Sequence, residues 1–205
     1  MNHGVVLALL GALALSPSIV SAQSASELLE AARAQSKEIE ELKAVMDGPD
    51  RNLRLAAFDA MVAGESSLYR EIAVEAGLAS TDSLLRARAL AFAMRSASTL
   101  VINLAVDTAA PKSIQENSTK YLAEKRQLLT VSLSDGESSG STLVRETRDD
   151  YSQGRGSLEV QGLQVQFTGY YNRITGELTL GDDGVLAGPL GTSDNHRFIG
   201  TTRLR

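Results

Sequence analysis

The sequence predicts an α+β chain, with a short stack of α-helical hairpins followed by a β domain built as an antiparallel sheet, either a curved sheet or a small sandwich. Three observations carry this. Helix-period apolar patterning recurs from Ser24 to Arg95 with very short links. From Thr99 the composition shifts to β-branched residues, and after Leu128 apolar and polar residues alternate between turn signals. No helix-length pattern intervenes between those later strands, so a parallel nucleotide-binding sheet is excluded.

Residues 1–22 read as a signal peptide, with an apolar run from Val5 to Leu15, the breaker Pro17 and small residues at Val20-Ser21-Ala22. Cleavage is expected after Ala22. The run is shorter than the roughly 20 apolar residues that span a bilayer, so no stable membrane insertion is expected once the signal is removed. Export of a chain with 0 Cys fits a bacterial protein, periplasmic or secreted, better than a disulfide-stapled one. The same absence removes thiol nucleophiles and thiolate metal sites.

The predicted helical domain covers residues 23–96. Ser24–Met46 is a long helix with Ser24 or Ser26 as N-cap, Glu27 in the first turn and Gly48-Pro49 at its end. Its stripe of Leu28, Leu29, Ala32, Ile39, Leu42, Val45 and Met46 suits a helix lying against one neighbour, and self-association through it is one alternative role. Helices over 51–63, 67–77 and 82–95 follow, each opened by Asp or Ser. Their abundant Ala lets antiparallel axes approach closely.

Asp50-Arg51-Asn52-Leu53-Arg54 returns 32 positions later as Asp82-Ser83-Leu84-Leu85-Arg86. This pattern resembles HEAT-type (armadillo-like) helical repeats, over the N-terminal half only. The resemblance implies a protein-binding scaffold, in which Asp50, Arg54, Asp82 and Arg86 cap helices and tie repeats together.

The predicted β domain covers residues 97–205. Thr99–Val106 reads as a strand, and Ser113–Lys125 as a polar helix. Strands are expected around Leu128–Leu133 and Ser141–Thr147, separated by a flexible turn over Ser134–Gly140, with a mobile loop over Asp149–Gly156. In Ser157–Thr168 the apolar set changes parity at Gly162, which predicts a β-bulge there. A hairpin follows, with strands 174–180 and 185–190 around Gly181-Asp182-Asp183-Gly184, and Arg197–Leu204 is the last strand.

The chemistry-bearing residues are sparse. With a formal net charge of -5 and 20 basic residues scattered among 25 acidic ones, no nucleic-acid partner is expected. After signal removal His196 is the one histidine, too few for a His-based metal site and read as a surface loop residue. No catalytic constellation emerges, and neither a cofactor nor a metal is expected. Asp149, Asp150 and Asp194 would serve a carboxylate-dependent hydrolase acting on an envelope polymer, the alternative function, if two of them faced each other across a cleft. The ligand-contacting candidates are Tyr170 and Tyr171, the one aromatic concentration with Arg173 beside it, together with Arg155. The function expected first is a non-enzymatic binding or scaffold protein of the bacterial envelope, contacting a protein or envelope component.

Overall fold

The computed structural model describes residues 24–124, 127–139, 142–149, 155–169 and 174–204. The signal segment and its cleavage point, Asp150, Tyr170, Tyr171 and Arg173 therefore lie outside the described residues. The chain forms two compact units, meeting between Glu38 and Ile39.

In the first unit, helix α1 (Ala25–Met46) opens with a reciprocal cap. The Glu27 amide donates to Ser24 Oγ at 3.3 Å, and the Ser24 amide donates to Glu27 Oε2 at 2.9 Å. Every residue from Ala25 to Glu38 is exposed.

The second unit holds the end of α1 and everything after it. Ile39 and Leu42 are half-buried and Met46 is buried in the core. Helices α2 (Arg51–Ala63), α3 (Ser67–Ala79) and α4 (Ser83–Ser96) follow, with N-caps Asp50, Ser66 and Asp82. Each cap side chain accepts backbone amides from the first turn, which would otherwise be unpaired. Gly77 and Ala89 set the approach of α3 to α4: a Cβ on Gly77 would lie 2.7 Å from the Ala89 Cβ. Phe58 and Phe92 meet edge to face at 6.4 Å beside this crossing.

Strand β1 (Thr99–Val106) leaves α4, and helix α5 (Lys112–Glu124) leads to β2 (Leu128–Ser139). The remaining strands are β3 (Thr142–Asp149), β4 (Arg155–Gln161), β5 (Gln164–Gly169), β6 (Thr175–Leu180), β7 (Val185–Gly191) and β8 (Arg197–Arg203). All neighbours are antiparallel, and β1 pairs β8 from Asn103↔Thr201 to Val106↔Phe198, so the sheet closes into an eight-stranded barrel. The expectation of an α+β chain with an antiparallel sheet holds, and the closed barrel is a more specific form of it than the curved sheet or sandwich, leaving no edge strand.

The barrel interior is apolar. Leu100, Ile102 and Leu104 point inward, as do Leu129, Val131, Leu143, Leu158, Val160, Val165, Phe167, Leu178, Leu180, Leu186, Leu190 and Phe198, all buried. Outward positions carry Thr99, Asn103, Ser132, Glu146, Glu159, Gln164, Gln166 and Arg197. A barrel facing lipid has the opposite arrangement, with an apolar band outside and polar side chains within. Eight strands leave an interior just wide enough for such side chains to fill.

Two local expectations are corrected. Gly162 marks no bulge: it has φ +59 in a two-residue turn between β4 and β5, which reverses the chain. A turn of two residues changes the parity of inward positions just as a bulge does, so sequence alternation alone does not separate them. The segment Ser134–Ser139 is strand and not a turn, and the bulge lies between Leu133 and Gly136 of β2. Gly136 stands there because a Cβ would lie 2.7 Å from the Arg145 Cγ.

Arg145 explains how the helices seat on the barrel. It points inward from β3, is 4% exposed, and donates from Nε to Ser134 O at 2.6 Å. Its Nη1 donates to the carbonyls of Met94, Arg95 and Ala97, at the C-terminal end of α4 where backbone acceptors lack helical partners. Arg86, 6% exposed, fixes the other half of α4 to the β6–β7 turn. It donates to Leu180 O at 3.0 Å, Gly181 O at 2.5 Å and Asp182 Oδ1 at 2.7 Å. Helix α4 thus lies across one end of the barrel, with Leu85, Ala89, Leu90 and Met94 fully buried beneath it.

Candidate interaction surface

Helix α5 sits at the opposite end of the barrel, where β1 ends and β2 begins. The Ser118 Oγ accepts the Arg197 amide at 2.9 Å, and the Tyr121 ring lies 5.3 Å from Phe198 and 4.8 Å from His196. His196 is therefore half-buried in an aromatic cluster, with Nδ1 2.7 Å from Thr192 Oγ1. Its reading as a surface loop residue is corrected by this packing.

Of the ligand candidates of the sequence, Arg155 begins β4 at this same end, and the next residue, Gly156, pairs with Gly169, the last residue of β5. The Arg155 side chain, like Tyr170, Tyr171 and Arg173, is outside what is described. Of the carboxylates, Asp149 closes β3 and Asp194 is exposed in the β7–β8 turn, with β1 and β2 between β3 and β8. Among the described residues, no three His, Asp or Glu side chains gather in a metal-binding group.

In the helical layer, Asp82 is the electrostatic centre. It accepts Arg54 Nη2 at 2.8 Å and Arg51 Nε at 3.0 Å while capping α4. The Arg54 guanidinium above all holds the Asp82 carboxyl at about 2, below its usual 3.8, with the Leu84 amide and Arg51 adding to this against partial desolvation. Arg54 also donates to Gly48 O at 2.7 Å, so the pair ties the start of α2 to the start of α4. These contacts are structural: each arginine and carboxylate is spent on a cap or on a link between helices.

The outer wall of the barrel offers a different arrangement. Ile199 pairs with Pro189 on one side and with Ala105 on the other, so three apolar residues form one row across β7, β8 and β1. Ala187 lies beside this row on β7, and Val101 of β1 and Leu128 of β2 stand on the same face around Asn103, which pairs with Leu128. Leu128 is 48% exposed and Val101 45%. Scattered exposed apolar residues are ordinary on a protein surface, but a contiguous set is not. The charges on the outward faces of β7, β8 and β1 are Arg197 and Arg203, both exposed and neither in an ion pair among the described residues. The far wall is acidic, with Glu146 and Glu159 exposed and Glu177 accepting Gln164 Nε2 at 2.8 Å.

Sequence reasoning missed this wall because it exists only across strands. Each strand alone shows simple alternation, and the row appears once β1 is known to close on β8. Comparison with protein-family models, curated proteins and solved structures finds no match to this chain.

Proposed function

We propose that the chain is an exported binding or scaffold protein of the bacterial envelope that contacts a protein or envelope component through the outer wall of β7, β8, β1 and β2. The observation that carries this reading is the apolar row of Pro189, Ile199 and Ala105, with the exposed Leu128 and Val101 on the same face around Asn103. The described outward residues of the opposite wall are mainly Glu, Gln, Ser and Thr, with Val144 a single exposed apolar residue among them, whereas this wall holds several apolar residues side by side. A contiguous exposed apolar surface with a charged rim is the usual chemistry of a protein contact.

The filled interior supports the same reading, since a barrel packed with Leu, Val and Phe leaves the outside for recognition. The helical half is read as a minimal HEAT-type stack serving as the support of α4, and export rests on the signal-like N-terminus. The test is recovery of a specific complex from envelope extract by the mature chain. Val101→Glu with Leu128→Glu should abolish recovery while Glu159→Lys on the far wall leaves it intact. Loss with all variants, or with none, would remove the wall from the function.

A further inference from the structure

We propose that the partner at this wall is an acidic, apolar polypeptide segment, with two carboxylates that engage Arg197 and Arg203 and apolar side chains that cover Ile199, Ala105 and Pro189. This rests on the docking reading above and adds the chemistry of what docks.

The argument starts from β8. Arg197, Ile199, Thr201 and Arg203 share its outward face, so an apolar centre is framed by a guanidinium at each end. The two arginines are six positions apart along the strand, roughly 20 Å at about 3.3 Å per residue. The outward positions of β7, β8 and β1 carry no carboxylate, and Asp107, one residue past β1 and bonded through its amide to Arg197 O at 3.2 Å, forms no ion pair with Arg197 among the described residues. That leaves two exposed guanidiniums in a chain of formal net charge -5. Guanidinium favours bidentate carboxylate recognition over a diffuse charge contact.

Two other occupants fit less well. An anionic membrane is held by clusters of about four to eight cations, each worth little alone, and the described outward residues of this wall carry two. A second copy could offer its acidic wall, where Glu159, Gln166 and Glu177 lie in one row across β4, β5 and β6. Those two carboxylates are two strand spacings apart, roughly 10 Å, half the separation of the arginines. A polypeptide can match about 20 Å on one face with glutamates six residues apart when extended or about fourteen apart when helical.

The experiment uses the mature chain and two labelled synthetic peptides with those spacings and apolar residues between the glutamates. Each has a Gln-for-Glu counterpart, and binding is followed by fluorescence anisotropy at physiological salt. One acidic peptide should bind, its Gln counterpart about tenfold more weakly or worse. Arg197→Gln and Arg203→Gln should each weaken the acidic peptide about fivefold, with thermal unfolding unchanged. Equal binding of acidic and Gln peptides, both lost in Ile199→Ser, would overturn the proposal while leaving the wall as a docking surface. No binding by any peptide would overturn it as well. Binding of phosphatidylglycerol vesicles, or self-association abolished by Arg197→Gln, would replace the acidic segment with a membrane or a second copy.

Discussion

Replacing Arg145 with Met removes the guanidinium while keeping most of the aliphatic stem beside Gly136. Four carbonyls then lose a charged donor: Ser134 O, 2.6 Å from Nε, and those of Met94, Arg95 and Ala97 at the end of α4. A hydrogen bond to a charged group is worth about 1.5–3 kcal/mol. The exposed Arg95 and Ser134 and the half-exposed Ala97 can turn to water, whereas Met94 is 0% exposed, so about one of the four losses is felt in full. That gives about 1.5–3 kcal/mol. Urea unfolding followed by circular dichroism measures it. With a slope of about 2 kcal/mol per M the midpoint should fall by about 0.8–1.5 M. A loss under about 1 kcal/mol would refute the reasoning, since α4 would then be seated by its apolar face alone.

Asp82 is held low at about 2, so its charged form stabilises the fold fully above the ordinary carboxylate value near 3.8. That contribution is lost as pH falls from about 4 to about 2, and Asp82→Asn, which keeps a capping side chain, should flatten this part of the stability profile; an unchanged profile would contradict the Arg54 link. Gly188→Ala would put a Cβ 2.1 Å from Glu177 O, where β6 and β7 run close, and should cost at least about 2 kcal/mol in thermal or urea unfolding. The exported chain should begin at Gln23 by N-terminal sequencing, and a start at Met1 would remove the signal reading.

Much of the helical half was legible because its signals are local. Asp50, Ser66 and Asp82 each sit one residue before a helix and cap it, and Arg54 bonds to Asp82 between the starts of α2 and α4. Arg86 was read within the same pattern, but its partners are in the β6–β7 turn about 95 residues away, a pairing no local pattern encodes. The hairpin around Gly181–Gly184 was legible from its glycines and alternation. The particular pairing of β1 with β8 that closes the barrel was not, because it joins segments at opposite ends of the β half. Gly136 looked like a turn residue within Ser134–Gly140, yet it is small to admit the Arg145 stem, a reason that lives on the neighbouring strand. The apolar wall shared this obscurity: Ile199, Ala105 and Pro189 are far apart in sequence and become neighbours through register alone.

With 0 Cys in the chain, single cysteines can be introduced at Val101 and at Glu159 and labelled with a photoreactive benzophenone. After irradiation in envelope extract, the docking reading predicts a covalent adduct of defined mass from the Val101→Cys chain and none from the Glu159→Cys chain. Adducts of equal yield from both walls, or none from Val101→Cys, would contradict it.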